Sequence, residues 1–329
     1  MDLRTWLELA YLDDTFPLPL DTPFTTRTAL AAGLPRKWLP ALTSAGLLRN
    51  PIRGCFVPAQ VPDDIASRIA CLRLVVPADA VLVDRHAGWA QGAEMLLLPN
   101  EHLNALPVTM FMPGGRGRLR NKLAESGERT FLERDLTVVH GLRMTTPLRT
   151  ALDLGRQRWP EPAITALDAL HRLGAFTVDE LVGEIGRLRG MRWVTTLRAV
   201  APHTDGRSQS GGESVVRWRW LQLPVPPPQP QVEVRSQGRV AFVDVGNEDV
   251  RFGVEFQGVE WHIGEVNEAN DAVRLGWLDR DADWEIAPVW TPDVYGPGSR
   301  LDDVILAGVR HGRARTARRT AGTQAPTRW

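Results

Sequence analysis

Residues 231–234, 239–245 and 251–256 read as three extended runs crowded into one short stretch of chain, and no other feature of the sequence restricts the fold more. A helical pattern over 213–221 precedes them, another over 270–278 follows, and 284–290 reads as a last strand. The order α-β-β-β-α-β asks for a sheet covered by helices, since strands this apolar must bury their faces against something. That unit occupies only part of the 329 residues, so more than one hydrophobic core is expected.

The remainder divides by composition into an α/β multidomain chain. Residues 1–60 read as helix, turn, helix, hairpin. Thr25 and Thr26 cap a short helix, Pro35 opens a second through Trp38, Leu42 and Ala45, Gly46 stops it, and 49–54 turns between two short strands. This is winged-helix order. Pro40 falls inside the second helix and is tolerable if that helix begins near Lys37. Residues 61–203 alternate β-like runs at 80–83, 108–112 and 137–139 with helical patterns, the mark of a mixed α/β and helical domain. A polar, glycine-rich joint at 204–212 marks a boundary, and the strand-rich domain is placed at 208–295. Residues 310–329 carry six arginines and no acid, and read as a basic disordered tail.

Composition excludes several classes. Hydrophobic residues are 43% and charged residues 24% of the chain, with a mean hydropathy of −0.20, which is globular rather than disordered or membrane-embedded. No run of eighteen apolar residues occurs and the N-terminus lacks a secretion pattern, so a cytoplasmic protein is expected. Cys55 and Cys71 are too few for a disulfide framework or a cysteine zinc site and read as buried thiols. Basic and acidic residues cancel at 39 each, so an argument for nucleic acid must come from how charge is placed.

That placement is uneven. Residues 25–57 hold five basic residues and no acid, with Arg36 and Lys37 opening the expected recognition helix and Arg49 and Arg53 flanking the wing turn. Those positions in a winged helix face base edges and phosphates of DNA. Residues 243–285 hold twelve acids against three arginines. Within them Asp244 ends one strand, and Glu255 and Gln257, two apart on the next, project together. If the two strands pair, two carboxylates and an amide meet at one point. That donor set suits Mg2+ or Mn2+, which would activate water and stabilise charge developing on a phosphodiester.

Glu213-Ser214, Phe242-Val243-Asp244, Glu255-Phe256-Gln257-Gly258, His262, Asp271 and Arg274 resemble, in order and spacing, the small nuclease-like domains related to very-short-patch-repair endonucleases of the PD-(D/E)XK superfamily. The resemblance covers about 208–292 and implies a restriction-endonuclease-like fold. It also implies that Asp244 and Glu255 hold metal, that Gln257 stands at the usual lysine position, that Glu213 is the helix acid and that His262 is an accessory acid or base. Glutamine there carries no positive charge to stabilise a transition state. Residues 25–57 together with 141–154 resemble AbiEi-type antitoxins, which implies operator binding and a cognate nucleotidyltransferase toxin as partner. Winged helices often dimerise, which admits a homodimer. Two readings therefore stand: a DNA-directed, metal-dependent endonuclease in defence or repair, and a non-catalytic, antitoxin-like repressor.

Overall fold

The computed structural model describes residues 3–99, 101, 105–112, 123–258 and 265–323. His262, Trp261 and the basic run from Arg116 to Lys122, all singled out in the sequence, lie outside the described residues. The chain is a multidomain α/β protein, with three sheets among the described residues. Its contacts divide it into two compact units: Met1–Leu154 with Leu173–Arg187, and Gly155–Arg172 with Leu188–Trp329. Among the described residues no helix is long and apolar enough to cross a membrane.

The first unit opens with α1 (Leu3–Leu7), β1 (Phe24–Thr25), α2 (Thr26–Ala31), α3 (Trp38–Ser44), β2 (Leu48–Ile52) and β3 (Cys55–Pro58), with β1 and β2 both pairing to β3. The Thr25 hydroxyl accepts the Thr28 N–H at 3.1 Å and starts α2. Gly46, at φ 75°, supplies the left-handed turn that ends α3. Because α3 begins at Trp38, Pro40 falls in its first turn, where no backbone donor is required. Phe16, Phe24, Leu34, Leu39, Leu42 and Leu47 form its core.

A mixed five-stranded sheet follows, built from β4 (Val81–Leu82), β5 (Val108–Met112), β6 (Ala124–Glu128), β7 (Leu136–Val139) and β8 (Leu142–Thr145) in the order β6-β5-β4-β8-β7. Helices α4 (Ile65–Arg73), α5 (Asp84–Ala90), α6 (Pro147–Leu154) and α8 (Val178–Glu184) complete the unit. Its polar interior is an ion-pair chain. Arg149 bridges Asp135 at 2.7 Å and Asp153 at 2.8 Å, Arg187 joins Asp135 at 2.6 Å, and Arg129 joins Asp153 to Asp84. Cys55 and Cys71 are free and buried, and contact between them followed by burial pushes the Cys55 thiol up, out of thiolate reactivity.

In the second unit α7 (Pro160–His171), α9 (Val194–Val200) and α10 (Gly211–Leu221) pack together ahead of a four-stranded sheet. Its strands are β9 (Gln229–Ser236), β10 (Arg239–Asn247), β11 (Phe252–Gln257) and β12 (Glu285–Trp290), in the order β12-β11-β10-β9. Strands β9, β10 and β11 run antiparallel in sequence, and β12 joins β11 in parallel after the crossover helix α11 (Glu265–Arg280). A short α12 (Thr291–Val294) and the long α13 (Leu301–Thr323) close the chain. Val215, Val216 and Trp220 of α10 and Leu301, Ile305 and Val309 of α13 bury one side of the sheet against Val245, Phe252 and Val254. Trp277 and Leu278 of α11 bury the other against Val232, Ala241, Val243 and Trp284.

The expected α-β-β-β-α-β order is present, with three corrections. The chain does not divide at 204–212, because residues 155–172 and 188–203 belong to the C-terminal unit. Arg172 donates to the carbonyls of Gly206 at 3.2 Å, Gln209 at 3.1 Å and Ser208, stitching the polar joint to α7. The basic tail is helical as far as Thr323. Arg315 and Arg319 on it turn to Asp283, at 3.8 and 2.5 Å, so an acid from outside the segment supplies what its composition lacks. Finally, Asp244 lies inside β10, which continues to Asn247, rather than at its end.

Candidate functional site

Strand β10 rolls over at Asp244. Val243 and Val245, two apart, would share one face of a regular strand, yet Val243 packs on the α11 side and Val245 on the α10 and α13 side. The β9–β10 pairing is regular on either side, at Val243–Val232 and Val245–Pro230, and between them Gln231 of β9 has φ 52°. An irregularity of this kind re-aims a side chain. Backbone pairing of β10 with β11 runs from Asn247–Phe252 to Val245–Val254. Next along, the Asp244 carboxylate takes the place of a ladder carbonyl and accepts the Phe256 N–H at 3.0 Å.

Glu255 follows Val254 on β11 and is buried, 3% exposed. Both of its oxygens are held by Arg274 of α11, Nη1 at 2.7 Å and Nη2 at 2.5 Å. Glu213 comes from the first turn of α10, where Ser210 caps the helix by accepting the Glu213 N–H at 3.2 Å. Its carboxylate accepts the Gln209 N–H at 2.8 Å and the Gln231 side-chain amide at 3.0 Å. A methyl group at Gly212 would overlap the Phe256 ring, so glycine there lets α10 seat directly on β11 and brings Glu213 to the strand pair.

Asp244 senses the other two acids. Burial first, then the charges of Glu213 and Glu255, push the Asp244 carboxyl up to about 7, against the Phe256 N–H and Arg274, which pull it down. Asp244 thus lies within electrostatic reach of Glu213 and Glu255, and Gln257 lies half-buried two residues beyond Glu255 on β11. Among the described residues no three of His, Cys, Asp and Glu form a ready-made metal cage. The donors present still fit a hard divalent ion, which uses one or two carboxylates and keeps its waters.

Arg274 and Gln231 are the residues whose parts in the site the sequence did not disclose. Arg274 left a signal, standing in the nuclease-like pattern without an assigned role, whereas the turned backbone at Gln231 left none. Asp279 and Asp281 are exposed on or just past α11, while Asp283 is shared by Arg251, Arg315 and Arg319.

In the first unit Arg36 and Lys37 are exposed immediately ahead of α3, Lys37 being its N-cap residue. Arg53 is exposed at the β2–β3 turn. Arg49, expected beside it, turns instead to the Val61 carbonyl and to Asp63 at 3.9 Å, so its charge is drawn toward the connection leading to α4.

No protein-family model matches the chain. It is similar to the uncharacterized protein Rv2248 of Mycobacterium tuberculosis strain ATCC 25618 / H37Rv and to the uncharacterized protein MT2308 of strain CDC 1551 / Oshkosh. Each is 29% identical over 247 residues, a match covering 74% of this chain and 86% of the relative. Neither name assigns an activity.

Proposed function

We propose that the chain is a DNA-binding protein whose C-terminal unit is a Mg2+- or Mn2+-dependent endonuclease-like domain that cuts DNA phosphodiesters. The observation that supports this reading is the placement of Asp244 and buried Glu255 where β10 and β11 part, the Asp244 carboxylate on the Phe256 N–H at 3.0 Å, with the charge of Glu213 acting on Asp244. Asp244 and Glu255 would hold the ion, which supplies an activated water and charge stabilisation at phosphorus. Glu213 fixes Gln231 beside Asp244 and keeps the site acidic. Arg36, Lys37 and Arg53 would seat the first unit on DNA.

Two observations favour the repressor reading instead: Gln257 is neutral, and Arg274 already occupies both oxygens of Glu255. Under that reading the nuclease-like fold serves only as a binding or dimerisation module and the first unit reads DNA, with a nucleotidyltransferase toxin as partner. Plasmid nicking separates the two. Purified protein with Mg2+ or Mn2+ is expected to convert supercoiled plasmid to open circles, and Asp244→Ala or Glu255→Ala to abolish this. Absence of cleavage with either ion in the wild type decides for the repressor.

DNA binding is tested by a separate measurement. Arg36→Ala with Lys37→Ala is expected to weaken duplex affinity and flatten its salt dependence by about 2 in the logarithmic slope, one unit for each phosphate no longer neutralised. Arg49→Ala is expected to leave the slope unchanged, since Arg49 faces Val61 and Asp63. A slope unaffected by the first pair removes α3 from the interface.

A further inference from the structure

We propose that Arg274 is the phosphate-binding cation of the acidic site, supplying from α11 the positive charge that Gln257 cannot supply from β11. The proposal rests on the nuclease reading above and assigns the part of that machinery the strand lacks. Gln257 follows Glu255 by two positions on β11, so its side chain projects to the same face, but an amide brings hydrogen bonds and no charge. Arg274 comes to the same place by another route. Its position on α11 lets the guanidinium lie across Glu255, Nη1 and Nη2 each on a separate carboxylate oxygen.

A planar fork that matches two carboxylate oxygens matches two non-bridging phosphate oxygens equally well, which a lysine cannot do. In the absence of substrate, Glu255 fills that fork. Once Glu255 shares its charge with a divalent cation, its hold on Arg274 weakens. The guanidinium side chain, 32% exposed, also lies 3.5 Å from the Phe242 carbonyl and can then turn toward a phosphodiester brought to the same ion. Arg274 thus exchanges the carboxylate for the phosphate, and the exchange places a cation beside the reacting phosphorus only when both metal and substrate are present.

Calorimetric titration of the full-length protein tests this, first with Mn2+ alone and then with thymidine 5′-monophosphate at saturating Mn2+. Arg274→Gln is expected to bind Mn2+ at least as tightly as the wild type, because a competing cation has been removed, and to bind the nucleotide about tenfold to a hundredfold more weakly, the worth of one charge-assisted pair. Arg274→Lys is expected to fall between. Adding Gln257→Lys to Arg274→Gln is expected to restore nucleotide affinity, a rescue that a purely structural arginine would not show. On plasmid, Arg274→Gln is expected to lower kcat by about 10²–10³-fold.

Weaker Mn2+ binding by Arg274→Gln, unchanged nucleotide affinity, or no nucleotide binding by the wild type would each overturn the proposal. Weaker Mn2+ binding would leave Arg274 as a clamp that merely holds Glu255. Failure of the wild type to cut plasmid removes the nuclease reading, and the nucleotide titration then decides on Arg274 alone. Wild-type cleavage undiminished in Arg274→Gln removes only the role of Arg274.

Discussion

Arg217→Met is expected to destabilise the C-terminal unit by about 3–5 kcal/mol, read as a lowered midpoint in urea with the slope unchanged. Arg217 lies on α10, and its Nη2 meets both oxygens of Asp168 on α7, at 2.9 and 2.7 Å, while Nη1 donates to the His203 carbonyl at 2.7 Å. The side chains are 5% and 0% exposed. Burial alone drives the Asp168 carboxyl up, against the pull of Arg217, the Asp205 N–H and Ser214, so losing the guanidinium strands a carboxylate where water cannot reach it. Removing both charges is a different experiment. Asp168→Leu with Arg217→Met is expected to recover most of the loss, because well-packed apolar side chains replace a buried pair at little cost. A double variant as unstable as the single one would show that the helices are held by something other than this pair.

The consequence reaches the acidic site through α10, which carries Arg217 and Glu213 on one helix. Its N-terminus is anchored by Ser210 and seated on Phe256 at Gly212. Helix α7 therefore acts as the backing plate for the helix acid, which explains why the chain folds residues 155–172 into this unit.

That arrangement was out of reach of the sequence, and the reason is specific. Arg172 satisfies three carbonyls of a segment whose glycines and serines read as a flexible joint, and a donor arriving from over thirty residues away leaves no local mark. The same holds for α13. Its buried stripe is Leu301, Ile305, Gly308, Val309 and Gly312, so at two of its five positions it packs by the absence of a side chain. A methyl at Gly308 would overlap the Phe252 ring, and one at Gly312 the Val250 carbonyl. Glycines and arginines together look like a tail until Asp283 is placed against them. The strand-rich core was legible because its valines recur where strands need them, and the placement of Asp244 and Glu255 on adjacent strands was legible because those strands were. The roll of β10 at Asp244 was not, since it depends on the φ of Gln231 on the neighbouring strand.

That roll sets up the second large effect, a dependence of stability on pH that metal reverses. Asp244 is held at about 7 in the folded protein, against about 3.9 for an unfolded aspartate. Between those values the folded chain keeps a proton that the unfolded chain has released. Stability is therefore fully retained below about pH 4 and falls as pH rises, by about 1.4 kcal/mol per unit and about 4 kcal/mol in all by pH 7, beyond which it levels off. Asp244→Asn has no proton to lose, so its unfolding free energy is expected to decline less over the same window, and the difference between the two curves isolates this one group. A divalent cation needs the carboxylate, so binding at pH 7 is expected to expel roughly half a proton from Asp244, measured by titrating Mg2+ in two buffers of different ionisation enthalpy. The same addition at pH 8 is expected to raise the unfolding midpoint of the wild type and to do little for Asp244→Asn. Parallel stability curves for the two proteins, or metal binding without proton release, would mean that Asp244 does not face Glu213 and Glu255 closely enough to share a cation with either.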